Sequence, residues 1–286
     1  MSGLVLLPDE ITSFQNSIWT FYRENRREFA WRGISDPYAV LVSEMMLQQT
    51  QTLRVVPKYD EWMHAFPTAQ TLATAPLSEV LSHWVGLGYN RRAVFLQKAC
   101  QAVCTGHSGV FPRAVAELQS LPGIGPYTAG AVSTFAFNQP NVFIETNIRS
   151  VFIHFFFSDT ALVPENKKID DAEIAPIVEQ TLDRTNPREW YYALMDYGAD
   201  LKKKVENPSR KSRQYTRQSR FEGSLRQARG AILRQLSAAS GKASSLTLSQ
   251  IALYEKIDIA RLERAADKLV AENLISVAGN GYRIAD

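Results

Sequence analysis

Apolar side chains recur every three to four positions through most of the first two hundred residues, the period of helices with one buried face. The pattern predicts helices over residues 11–25, 38–51, 55–65, 77–84, 91–105, 113–121, 127–137, 147–157, 171–182 and 189–201. Asp36-Pro37 starts the second of these, the acid as cap and the proline at the first helical position. Short loops are marked by Pro67, Pro76, Gly86, Gly88, Pro112, Pro164 and Pro187. Little here alternates as a strand does, so the region reads as all-α.

After residue 224 the character changes. Helices are expected over 225–238, 248–254 and 259–272, then a hairpin with strands 274–277 and 282–284 around a Gly/Asn turn. Three helices and a terminal hairpin is the order of a winged helix, a small α/β unit whose second paired helix can enter a major groove. That helix carries Arg261, Arg264 and Lys268 but also Glu263, Asp267 and Glu272. The mixed face suits DNA contact and protein contact equally.

The 286 residues suggest two domains, and 45% hydrophobic with 21% charged residues excludes a disordered chain. No apolar run approaches the ~18 residues of a membrane span. Residues 1–15 lack a basic segment followed by an apolar one, so no secretory leader is expected. Two cysteines, Cys100 and Cys104, exclude a disulfide framework and a four-cysteine metal site. The net charge of +3 is unevenly spread. Residues 201–234 hold eleven basic side chains against Glu206 and Glu222, a local +9, and the rest of the chain is −6. Such a block is the footprint of a polyanion binder, or else a solvated linker.

Three motifs carry chemistry. Leu121-Pro-Gly-Ile-Gly-Pro-Tyr127 lies between two helices. Gly123 and Gly125 allow a tight turn and close approach, and the N–H groups at the following helix start suit a phosphate. This is a helix-hairpin-helix, which reads backbone and not sequence. Glu44 is a lone carboxylate in the apolar run Ala39-Val-Leu-Val-Ser-Glu-Met-Met-Leu47. Buried there, its pKa would rise toward that of a general acid; on the helix's polar side it would be an ordinary surface residue. Glu145 stands where a helix begins, so its pKa is expected to fall and the carboxylate to stay ionised. It is either a helix cap or the charge that stabilises an oxocarbenium ion.

Ser43-Glu-Met-Met-Leu-Gln-Gln-Thr-Gln51, Trp84-Val-Gly-Leu-Gly-Tyr89, Leu121-Pro-Gly-Ile-Gly-Pro-Tyr-Thr-Ala-Gly130 and Ala193-Leu-Met-Asp-Tyr-Gly198 occur in order. Over about residues 10–200 they resemble the adenine DNA glycosylase (MutY-like) branch of the helix-hairpin-helix glycosylase superfamily. The resemblance implies a mainly α, two-lobed glycosylase core over 1–200 with a cleft between the lobes. A basic segment, 201–223, then stands in place of an iron–sulfur loop, before a winged-helix-like unit over 224–286. It implies that Glu44 protonates a flipped base, that Glu145 stabilises the sugar cation, and that Asn147 and Tyr127 position them. Tyr127 falls where bifunctional relatives have a Schiff-base lysine, which implies no β-lyase activity. Trp31, Arg32, Leu47 and Asp196 fall on the base pocket. Gln49 and Tyr89 fall on residues that enter the duplex when the nucleotide flips out, and Gln48 falls on a DNA contact beside them. Gly123, Ile124 and Gly125 fall on phosphate contacts, which Lys202, Lys203, Lys204, Arg210, Lys211 and Arg213 would extend.

Three departures stand out. Glu145 replaces the family's aspartate, one methylene shorter. No cysteine follows Cys104, so no iron–sulfur cofactor is expected, although the hairpin leaves room for a monovalent cation. The family's usual C-terminal domain, which helps recognise 8-oxoguanine, is not recognisable. The expected partner is double-stranded DNA with a damaged or mispaired base, met by a monomer in the cytoplasm, at the nucleoid, with no membrane. Adenine is the first expectation for the excised base. Uracil or thymine opposite guanine is the alternative, as is a non-catalytic binder of damaged or bent DNA.

Overall fold

A computed structural model describes residues 4–158, 167–239 and 245–285. Pro164, one of the expected loop markers, lies outside them. The described residues form fourteen α-helices, one 3-10 turn and a two-stranded sheet, a mainly α fold. They divide into two compact units: Met1–Val40, Arg113–Gln119 and Ile124–Arg217 in the first, Leu41–Pro112, Ser120–Gly123 and Gln218–Asp286 in the second.

The first unit is built on α1 (Pro8–Asn25), α8 (Pro126–Phe137), α9 (Thr146–Phe156), α10 (Asp171–Thr181) and α11 (Pro187–Lys204). Phe14 of α1 meets Phe152, Phe155, Phe156 and Trp190 at ring-centroid distances of 5.3, 5.0, 5.1 and 5.9 Å. Phe14, Phe152 and Trp190 are buried among these five rings, which fix α1 against α9 and α11. Gly198 lets α11 come closest to α9. A Cβ there would lie 2.4 Å from the Asn147 carbonyl oxygen, so only glycine fits.

The second unit contains α3 (Thr52–Ala65), α4 (Ala69–Thr74), α5 (Leu77–Trp84) and α6 (Arg91–Gly106) around Trp62, Phe66 and Trp84, all at most 2% exposed. It also contains α12 (Leu225–Ala238), α13 (Leu248–Glu255), α14 (Ile259–Ala271), β1 (Ile275–Ala278) and β2 (Gly281–Ile284). The strands pair antiparallel with Gly279 at φ +59° in the turn; β1 lies one residue later than expected and β2 begins one residue earlier. A third short pairing, Leu246 with Tyr282, completes a wing. Arg229 of α12 forks onto Glu272 at 2.8 and 2.6 Å.

The helix expected over 38–51 is shorter. α2 (Pro37–Leu47) stops because Gln49 is left-handed, at φ +53°. Gln51 then caps α3. The helix expected over 113–121 contracts to α7 (Val115–Ser120). α4 has no counterpart in the sequence reading, since six residues are too few to display a period. The basic block is not a featureless linker. Three of its lysines close α11, and a 3-10 turn, Pro208–Lys211, is tied in by Ile169 N–H to the Lys211 carbonyl and Arg213 N–H to the Ile169 carbonyl.

Candidate active site and DNA interface

In the second unit, Glu44 sits on α2 and is 6% exposed, with Leu41, Val42, Met45 and Met46 all buried around it along the helix. The surface alternative is therefore excluded for this side chain. Leu47 is half-buried at the helix end, followed by Gln48 and the exposed Gln49. Tyr89 is 37% exposed and, like Gln49, left-handed, at φ +48°. An L-residue in this region costs about 1–2 kcal/mol. Gln49 and Tyr89, two of the five left-handed non-glycine residues described in this unit, share one restraint.

That restraint is Arg92, which the sequence reading missed. It is 8% exposed on α6. Its Nη1 donates to the carbonyls of Met45, Met46 and Gln48 at 2.6, 3.0 and 2.6 Å. Its Nη2 donates to Thr50 Oγ1 and to the carbonyls of Leu87 and Gly88 at 3.1, 3.1 and 3.0 Å. The Gln48 and Gly88 carbonyls belong to the peptides that lead into Gln49 and Tyr89. One guanidinium thus caps the helix carrying Glu44 and clips both left-handed residues. Burial pushes its pKa down to about 10, so it stays charged at neutral pH. Nothing in Tyr-Asn-Arg-Arg distinguishes this arginine from a surface one before folding.

In the first unit, Glu145 caps α9. One carboxylate oxygen accepts from the N–H groups of Asn147 and Ile148 at 2.6 and 2.9 Å, and the other from Asn147 Nδ2 at 3.3 Å. Lys202 Nζ donates to Asn147 Oδ1 at 2.9 Å. These three side chains form one linked group. The expected fall in the Glu145 pKa is wrong: the value is raised. Desolvation is the largest influence, and it outweighs the N–H groups of Ile148 and Asn147 and the charges of Lys202 and Arg149. The helix terminus acts as anticipated, but burial acts more strongly. Lys202 is lowered by the same burial, against the pull of Glu145.

Asp196 is 2% exposed and fully engaged within the protein. It accepts from Arg32 at 2.8 and 2.7 Å, from Arg27 Nε at 2.6 Å and from the Arg27 N–H at 3.0 Å. Burial alone would raise its pKa, yet Arg32 and Arg27 together hold it below the usual carboxylate value. Asp196 therefore orients Arg32, whose guanidinium lies 4.6 Å from the Tyr192 ring centroid. Trp31 is buried and stacks on Phe29 at 4.9 Å. Tyr127, half-buried, packs edge-on to Phe143 at 5.8 Å.

The hairpin glycines differ. Gly123 has φ +76°, and a Cβ there would lie 2.4 Å from the Phe95 Cβ, so turn and packing both require it. Gly125 has ordinary extended backbone and open space where its Cβ would be, which leaves room for an approaching partner at the start of α8. Ile124 is buried. Of the basic block, Lys202 turns inward as described, while Lys204, Arg210 and Arg213 pair with Asp200, Glu206 and Asp170 at 2.6, 2.8 and 3.2 Å. All three stay largely exposed, as do Lys203 and Lys211.

A family model described as HhH-GPD superfamily base excision DNA repair protein matches residues 42–174. An adenine DNA glycosylase of Mycolicibacterium smegmatis is 31% identical over 279 residues, 92% of this chain and 92% of that one. The chain belongs to this superfamily, in its adenine DNA glycosylase branch. The human adenine DNA glycosylase is 34% identical over 201 residues, which cover 67% of this chain and 36% of the human protein. The chain thus spans about a third of that relative's length. A solved thermostable thymine-DNA glycosylase superposes with a TM-score of 0.59 at 27% identity, over 67% of this chain and 87% of that one.

The iron–sulfur cluster that the resemblance implies does not fit the residues of this glycosylase. Its two cysteines stand one turn apart on α6, and burial pushes the Cys100 thiol up. Among the described residues no three histidine, cysteine, aspartate or glutamate side chains are grouped to hold a metal ion.

Proposed function

We propose that this DNA glycosylase excises adenine mispaired with guanine or 8-oxoguanine, by hydrolysis and without β-elimination. The observation that carries the reading is the burial of Glu44 in an apolar helix inside the adenine glycosylase motif. Such a carboxyl is suited to hold a proton and deliver it to a ring nitrogen of the flipped base. Protonation makes the base a neutral leaving group as the glycosidic bond breaks. Positive charge then grows on the deoxyribose, and Glu145 supplies the opposing charge. In a desolvated setting that attraction is stronger than it would be in water. Asn147 and Lys202 hold the Glu145 carboxylate in place, and water completes the abasic site. Tyr127 has no amine to form an imine with the sugar.

The basic segment supplies phosphate contacts without a metal-braced loop, together with the hairpin at Gly125. No described helix is long and apolar enough to cross a membrane. On this reading the enzyme meets its DNA in the cytoplasm, as a monomer. The 27% identity to a thymine-DNA glycosylase favours one second reading, excision of thymine or uracil opposite guanine.

Duplexes carrying A:8-oxoguanine, A:G, U:G and T:G separate these readings. Strand breaks that appear only after alkali, and only in the adenine duplexes, are expected. Borohydride should trap no covalent adduct. Cleavage confined to T:G and U:G would replace adenine with the second reading, and no cleavage of any duplex would refute the enzyme.

Glu145 provides an independent check because its two effects oppose. Its pKa is higher in the folded chain than the ordinary 4.5, so between those values the folded state holds the proton more firmly. Stability attributable to this group is therefore lost as pH rises through that window. Glu145→Gln cannot ionise. Its melting temperature relative to wild type should climb as pH rises above the ordinary 4.5 and then level off, while base release at neutral pH falls about a hundredfold or more. A melting difference independent of pH would contradict the raised pKa.

A further inference from the structure

The loop that leads into α12 reaches Gln49 and Tyr89, two of the left-handed residues of the second unit. Gln218 Nε2 donates to Tyr89 Oη at 2.9 Å and to Gln49 Oε1 at 3.1 Å. Arg226 Nη1 donates to the same Tyr89 oxygen at 2.9 Å, and its Nη2 to the Ser219 carbonyl at 2.6 Å. The Arg226 guanidinium lies 5.7 Å from the Tyr89 ring centroid. The loop is itself fixed. Gly223 is left-handed, its N–H donates to Gln227 Oε1 at 2.8 Å, and Ser224 caps α12. No part of the family resemblance assigns Gln218 or Arg226 a role.

The chemistry of this cluster is specific. Because Gln49 Oε1 is taken by Gln218, the Gln49 amide presents its NH2 group as a donor. Neither that NH2 nor the Gln218 amide oxygen bonds to a described residue. The cluster therefore offers two donors, one of them charged, beside one acceptor. That combination complements a base edge with a carbonyl next to a ring N–H, which the Watson–Crick edges of guanine and thymine share. Adenine offers no carbonyl.

We propose that Gln218 and Arg226, with Gln49 and Tyr89, form the site that reads the base left unpaired on the opposite strand, and that it takes a base with a carbonyl beside a ring N–H, as guanine and 8-oxoguanine have. This rests on the reading of Gln49 and Tyr89 as the residues that enter the duplex. It gives the chain a means of opposite-base recognition in place of the family's usual C-terminal domain.

The test is equilibrium binding of the full chain to duplexes with a tetrahydrofuran abasic analogue opposite guanine, 8-oxoguanine, adenine, cytosine or thymine. Wild type should bind the guanine, 8-oxoguanine and thymine duplexes about tenfold or more tighter than the adenine duplex. In Gln218→Ala/Arg226→Ala that preference should shrink to about threefold or less, with affinity for the adenine duplex little changed. Arg226→Lys keeps the charge and the fold but loses the planar fork, and should lose part of the preference. The proposal is overturned if wild type binds all five duplexes alike or binds none. It is overturned equally if the variants keep the full preference, or weaken every duplex by the same factor. The analogue has no base to release, so a failure of the glycosylase reading shows in the cleavage panel and not here.

Discussion

Glu44→Gln should release base about a hundred- to ten-thousand-fold more slowly than wild type, the range for loss of a general acid, while binding an abasic-analogue duplex as before. The amide matches the carboxyl in shape, so packing along the buried face of α2 is preserved, and a polar group already accommodated at 6% exposure is exchanged for another. What disappears is the transferable proton. The effect belongs in the single-turnover rate and not in affinity, because protonation matters only as the glycosidic bond breaks. The pH profile should change as well. The rate that remains in the variant should not depend on a proton held at residue 44. A variant within about threefold of wild type would remove Glu44 from the acid role.

Arg92→Met should lower stability by at least about 3 kcal/mol, which for a chain of this size is a fall in Tm of about 6–12 °C. Methionine replaces much of the buried volume but none of the six hydrogen bonds to Met45, Met46, Gln48, Thr50, Leu87 and Gly88. Left without the guanidinium, the carbonyls at the end of α2 lose a charged partner inside the protein. The backbone strain at Gln49 and Tyr89 is then no longer restrained. Arg92→Lys should rescue little of the loss, because a single ammonium cannot span both loops. Activity should fall beyond the loss of folded protein, since the same clip aligns α2, which carries Glu44, and both left-handed residues. A Tm within about 2 °C of wild type would show that the clip is dispensable.

The sequence pattern located most helices to within a few residues, because each buries a continuous apolar face. α5 and α12 match their expected limits at both ends. The hairpin motif and Glu145's place at the start of α9 were also legible, since both depend on local backbone chemistry. Legibility fails where an outcome depends on what folding brings near. α2 ends at Leu47 and not at residue 51 because Arg92, more than forty positions on, takes its last carbonyls. The direction of the Glu145 shift is decided by desolvation, which no local spacing reveals. Asp196 reads as a pocket residue from its motif, yet Arg27 and Arg32 occupy both its oxygens. The basic block reads as charge alone, whereas folding turns Lys202 toward Asn147 and sends Gln218 and Arg226 to Tyr89.

The claim on which everything else depends is that this chain breaks the glycosidic bond of a mispaired adenine. The most direct measurement is chromatographic detection of the free base after incubating purified protein with an A:8-oxoguanine or A:G duplex. Free adenine should appear in amounts equal to the alkali-labile sites formed, from wild type and not from Glu44→Gln. Tight binding of those duplexes with no free base from any of them would contradict the account and leave a protein that holds DNA without acting on it.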